Sequence, residues 1–146
     1  MPPMAKIQKM MMRGMGRLNI ALYRASKGKV MGKVRGMPLL LLTVAGRTTG
    51  NEYTTAISYF EDDGRYIVTG SAGGAPTEPQ WFRNLRKAEQ AVIEVGADRM
   101  TVDVAIADDA EHKSLWAKLL AKAAFFGKYE GKAGRVIPMA ALTPRK

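Results

Sequence analysis

The chain has 146 residues, with 23 lysines and arginines against 13 aspartates and glutamates, one histidine, no cysteine and a formal net charge of +10. That length suits one domain with a sizeable core rather than two. The absence of cysteine excludes disulfides, thiolate nucleophiles and iron–sulfur or zinc–thiolate centres, a lone histidine excludes a multi-histidine metal site and leaves any serine–histidine–aspartate triad dependent on His112 alone, and no protein-ligated metal is expected.

The charge is unevenly placed. Residues 1–37 hold nine lysines and arginines and no acid, which leaves 14 basic and 13 acidic residues, about +1, for the other 109. From Met4 to about Ser26 the apolar residues Ile7, Met11, Met15, Leu18 and Leu22 recur every three or four positions, the spacing of an amphipathic helix whose other face is basic. Such a helix can pack on its own domain, lie on an anionic membrane surface, or bind nucleic acid, the last being the least favoured. No apolar run reaches the ~18 residues of a membrane span. Positive charges interrupt every stretch that could serve as a secretory signal, so the expected location is cytoplasmic, with or without peripheral attachment to the inner face of the membrane. Residues 1–36 read as this helix and a glycine-punctuated basic linker, and residues 37–146 as the domain proper.

Pro38 to Ala45 is an almost continuous apolar strand, as expected where both faces are buried, and Glu52 to Phe60 is its antiparallel partner. Asp62-Asp63-Gly64 turns the chain into a strand from Arg65 to Ser71. Thr77 to about Lys87 reads as a short helix opened by a capping box of Thr77 and Gln80. Ala91 to Val95 and a longer alternating strand carrying Met100, Val102, Val104 and Ile106 follow, joined at Gly96-Ala97-Asp98. Asp108 caps a helix running to about Ala123, with Leu115, Trp116, Leu119 and Leu120 on one side. His112 reads as a solvated residue of that helix. An aromatic segment, Phe125 to Tyr129, leads to a last strand from Arg135 to Leu142. Six mostly antiparallel strands with an N-terminal helix and two further helices argue for a small α+β barrel.

Two loops carry the chemistry. Gly46-Arg47-Thr48-Thr49-Gly50 offers a guanidinium and two hydroxyls between glycines, a phosphate grip or an ordinary hairpin turn. Gly70 to Ala75 is rich in small residues and leads to a helix bearing Trp81, an indole that is either core or shelter for a planar ring. Together they suggest an anion and cofactor cradle. No GxGxxG in a strand–helix–strand setting and no GxxxxGK[ST] is present, which disfavours Rossmann and P-loop sites.

The runs LLLLTVAGRTTG (39–50), GSAGGAPTEPQWFRNLR (70–86) and IEVG (93–96), with Arg135-Val136-Ile137-Pro138, resemble the deazaflavin-dependent nitroreductase family of actinobacteria over about residues 15–143. The resemblance implies a split β-barrel of the flavin-mononucleotide-binding type and the cofactor F420, a 5-deazaflavin that carries hydride. It implies that Arg47, Thr48, Thr49, Gly50 and Asn51 line the phosphate-bearing tail, and that Ser71, Ala72, Gly73, Gly74 and Ala75, with Trp81, Asn84 and Leu85, hold the ring and ribityl chain. Ser71 and Tyr129 become the candidate catalytic residues, one for a developing oxyanion and one as proton donor or lid, and Phe126 and Tyr129 would touch substrate. Thr48 and Tyr53 stand where many relatives have basic residues, and Ala72 where some have lysine, so the basic N-terminal arm could reach the tail in their place. The implied activity is hydride transfer from reduced F420 to an activated alkene, quinone or nitroarene by a monomer or homodimer. The alternatives are a flavin mononucleotide enzyme, a flavin or tetrapyrrole carrier of the same fold, and a scaffold docked by its basic arm.

Overall fold

The computed structural model describes residues 17–34, 36–71 and 74–145, so Ile7, Met11 and Met15 of the expected amphipathic stripe, and Ala72 and Gly73 of the small-residue loop, lie outside the described residues. A first helix, α1, covers residues 17–25. The strands are β1 (Lys33–Val34), β2 (Met37–Ala45), β3 (Glu52–Asp62), β4 (Arg65–Thr69), β5 (Gln90–Val95), β6 (Asp98–Ile106) and β7 (Met139–Pro144); the further helices are α2 (Gln80–Arg86), α3 (Asp109–Lys122) and α4 (Phe126–Ala133).

All strand pairs are antiparallel, in the order β1-β2-β3-β4-β7-β6-β5, and a further pairing of β2 with β5 closes six of the seven strands into a barrel. Closure leaves those strands no free edge apart from the short β1 extension on β2. Apolar residues on every second position make this possible. Leu40, Leu42 and Val44 of β2, Ile93 of β5, Val102 of β6 and Leu142 of β7 meet inside the barrel, where Phe82 and Leu85 of α2 join them. The outer face is covered by α3 and α4: Leu115, Leu119 and Phe126 pack on Phe60, Ile67, Met139 and Ala141.

The strand pattern follows the expected one closely, and the Asp108 cap forms, its carboxylate accepting the Glu111 N–H at 2.9 Å. Four local expectations fail. The capping box is absent: α2 begins at Gln80 behind Pro79, which is extended at ψ 154° and makes no side-chain cap. A proline disfavours helical backbone in the residue before it, so Thr77 and Glu78 stay outside the helix. Phe126 to Ala133 forms an additional helix, stopped by Gly134 at φ 63° in the left-handed region. Arg135 to Pro138 is not strand; β7 starts at Met139. His112 is half-buried rather than solvated, stacked on Trp116 and donating from Nε2 to the Ile137 carbonyl at 2.6 Å.

Of α1's apolar residues, Leu18 and Leu22 are exposed. Tyr23 makes the junction instead: only 2% exposed, it donates toward the carbonyls of Leu39 (3.0 Å) and Glu94 (3.3 Å) and accepts the Gly96 N–H at 2.8 Å. No helix among the described residues is long and apolar enough to cross a membrane.

Candidate functional site

The β2–β3 turn is held from within. Gly46 N–H donates to the Asn51 carbonyl at 2.7 Å, Gly50 N–H to the Gly46 carbonyl at 2.9 Å, and Asn51 N–H to Thr49 Oγ1 at 3.2 Å. A side chain at Gly46 would have to displace its neighbours, since a Cβ there would lie 2.8 Å from Tyr53 Cε2 and 2.9 Å from Thr49 Oγ1. Arg47 leaves the turn and reaches α2. Its Nη1 donates to Asn84 Oδ1 at 2.7 Å, its main-chain N–H to the same oxygen at 3.1 Å, and its Nη2 to Gln80 Oε1 at 2.8 Å.

Between this turn and α2 lies a groove of about 430 Å³. The turn contributes Arg47, Thr48 and Thr49, β3 contributes Tyr53, Thr54 and Thr55, and α2 contributes Gln80, Trp81 and Asn84. Trp81 is half-buried and lies edge-on to Phe82. Arg47 also borders a second, more open groove of about 430 Å³ with Arg83, Arg86, Lys87 and Arg135 against a single acid, Glu78. The Arg86 guanidinium, 2.8 Å from Glu78, holds that carboxyl below the usual range.

The small-residue loop packs elsewhere, against Phe82 of α2 and against α4. A Cβ on Gly70 would fall 2.9 Å from the Phe82 ring, and one on Gly74, which has φ +87°, would fall 3.0 Å from Lys132 Cδ and 3.3 Å from Tyr129 Cα. Only glycine allows α4 to come this near at that backbone angle. The loop therefore brings Gly74 to the helix that bears Tyr129, itself half-buried and edge-on to Phe125 and Phe126.

Arg47, Thr48, Thr49, Trp81 and Asn84 thus share one groove, with Gly50 and Asn51 in the turn beside it. Ser71, Gly74, Ala75 and Tyr129, expected at the ring and the substrate, do not line it, and neither do Leu85 and Phe126. Leu85 is fully buried inside the barrel, and Phe126, 4% exposed, belongs to the outer core, so both support the site without lining it. Sequence reasoning missed Gln80, which it took for a capping residue, and the Thr54-Thr55 wall beside Tyr53, whose sole signal was a run of hydroxyls; Tyr53 itself was singled out only as standing where relatives have a basic residue. It also missed Arg135, whose guanidinium spans the small-residue loop.

An arginine held by two neutral amides, with none of the ion pairs among the described residues involving it, keeps its charge for an anion. Hydroxyls and an indole beside it suit a phosphate ester carried by a flat ring. Among the described residues no group of acids and histidine could hold a metal ion.

The sequence model of the F420H(2)-dependent quinone reductase family matches residues 15–144. An F420H(2)-dependent quinone reductase of Mycobacterium tuberculosis (strain H37Rv) is 32% identical over 133 residues, 88% of this chain and 89% of its own length. Among solved structures, an F420-H2 dependent reductase shares the fold with a TM-score of 0.65 at 22% identity, over 72% of this chain and 93% of that one. A structure described as a domain-swapped dimer does so with a TM-score of 0.67 at 19% identity, over 97% and 99%.

Proposed function

Because the chain belongs to the F420H(2)-dependent quinone reductase family, whose members are oxidoreductases using coenzyme F420, we propose that it transfers a hydride from reduced F420 to a quinone, with activated alkenes and nitroarenes as further electron-poor acceptors. The observation that carries this reading is the Arg47 guanidinium, held by Asn84 and Gln80 at the mouth of a groove walled by Trp81. F420, when bound, would supply the hydride from C5 of its deazaflavin ring. The protein's own task is to bind, orient and exclude water.

In this reading Arg47, Thr48 and Thr49 grip the phosphate, with Gly50 and Asn51 shaping the turn. Trp81 and the 71–75 loop shelter the ring. Ser71 offers a hydroxyl to the oxygen that gains negative charge, and Tyr129 serves as proton donor or cover on α4. Docking of residues 1–36 on an anionic membrane surface is proposed on their charge and on the exposure of Leu18 and Leu22. A vesicle flotation assay of the full chain against one lacking residues 1–30 tests it, and failure of the full chain to float with anionic vesicles removes it.

Fluorescence titration of the purified protein with F420 and with flavin mononucleotide tests the main reading. We expect F420 alone to bind, and F420H2 oxidation to accelerate when menadione is added. Binding of flavin mononucleotide in its place would favour a flavin enzyme of the same fold, and binding of neither would leave the barrel a scaffold.

A further inference from the structure

We propose that Arg135 is a positioning residue for the cofactor site, a guanidinium that ties Gly70 and Ser71 to Ala75 and Thr77 by gathering their carbonyl oxygens. The proposal rests on the reading that this segment holds the F420 ring.

The geometry is specific. Arg135 Nε donates to the Ala75 carbonyl at 3.1 Å, and Nη2 donates to Gly70 (3.2 Å) and Thr77 (3.1 Å), with a longer contact to Ser71 (3.4 Å). One planar group thereby ties the entry of the loop to its exit. The fixed fork of a guanidinium can span such acceptors, whereas an ammonium offers three donors around one point. The trans peptide unit places each C=O opposite the following N–H, so the inward Gly70 carbonyl turns the Ser71 N–H away from the guanidinium. The clamp thus orders the loop's donors as well as its acceptors.

Arg135 is itself held on both sides. Gly134 ends α4 in the left-handed region with its N–H on the Glu130 carbonyl at 3.2 Å. Ile137 is fully buried and its carbonyl accepts from His112, while the Pro138 carbonyl accepts the Gly70 N–H at 2.9 Å. The base of the clamp and the loop it grips therefore share a hydrogen bond. None of the ion pairs among the described residues involves Arg135; its hydrogen bonds go to carbonyl oxygens, with the Glu78 carboxylate near enough to feel its charge. Its Nη1 is buried with no partner.

The test uses full-length Arg135→Lys and Arg135→Ala proteins, with hydrogen exchange read on the cofactor-free chain. We expect faster exchange confined to residues 70–78. We also expect a rise of about tenfold or more in the Kd for F420 and the KM for F420H2, with kcat changed far less, as loss of charge-assisted hydrogen bonds to a positioning group implies. Millimolar guanidinium should restore part of the affinity of Arg135→Ala and none of that of Arg135→Lys. Wild-type exchange and wild-type Kd in the lysine protein would overturn the proposal, as would exchange loosened evenly across the whole barrel. If Arg135→Ala does not fold, Arg135→Lys decides. Should the unmodified protein fail to bind F420, the reading of the site fails while exchange at 70–78 still decides the clamp.

Discussion

Asn84 Oδ1 receives two donors from Arg47, the guanidinium at 2.7 Å and the main-chain N–H at 3.1 Å. Asn84 is 6% exposed, so this oxygen joins the turn between β2 and β3 to α2 from a buried position. Arg47→Ala is expected to weaken F420 binding about tenfold or more while leaving the melting temperature nearly unchanged, because the arginine is exposed and its loss strips a charge from the groove. Asn84→Ala is expected to lower both affinity and stability, the latter by about 1–3 kcal/mol, since the turn and α2 lose the buried oxygen whose two hydrogen bonds join them. Fluorescence titration and thermal melts separate the two, and an unaltered Kd in Arg47→Ala would remove the phosphate assignment.

Glycine substitutions distinguish the two loops. Gly46→Ala pushes against the exposed ring of Tyr53, which can yield, so the expected effect is a narrower groove and a raised Kd with little change in melting. Gly74→Ala combines φ +87° with the flank of α4 and has nowhere to go. It should cost about 1–2 kcal/mol, the penalty of left-handed backbone for a residue with a Cβ. Reversal of that order in urea unfolding would show that α4 is loosely seated.

The α1 junction rests on one hydroxyl. Tyr23→Phe removes the acceptor of the Gly96 N–H and the donor facing the Leu39 and Glu94 carbonyls, with an expected loss of about 1–3 kcal/mol. Arg24→Ala breaks the neighbouring pair with Glu94, where the arginine side chain is 46% exposed, and should cost less than about 1 kcal/mol. Equal losses in the two proteins would contradict the assignment of Tyr23 as the anchor.

Acid should loosen the fold through two carboxylates. Hydrogen bonds from Lys118 and then Arg65 hold the Asp62 carboxyl below its ordinary range, and Arg86 does the same for Glu78. With folded values depressed, the unfolded chain takes up protons first as pH falls, so this stabilisation is present at neutral pH and lost as pH drops below the usual carboxylate range of about 4. Both pairs are solvent-accessible, which keeps the effect modest and sensitive to salt. Urea midpoints at pH 7 and pH 3 should converge for Asp62→Asn and Glu78→Gln relative to the parent. A parent-like pH slope in both proteins would rule these groups out.

Much of the fold was legible because its causes are local. Alternating apolar residues marked the strands of the barrel, Asp62-Asp63-Gly64 marked their tight hairpin, and Asp108 marked the start of α3 by accepting the Glu111 N–H three residues on. The turn holding Arg47 was legible for the same reason, as a change from apolar to glycine and hydroxyl residues.

What the amino-acid order determined by itself was therefore this alternation and punctuation, together with the charge pattern of the arm. The tertiary structure decided partners and depth. Arg47 meets Asn84 across 37 positions and Arg135 meets Gly70 across 65, and no periodicity reports such distances. The same contacts withdrew Arg135 to Pro138 from the last strand, drew His112 to a carbonyl, and sent Leu85 and Phe126 into the interior. Spacing along a chain states which residues share a face; only the packing of distant segments states what that face will touch.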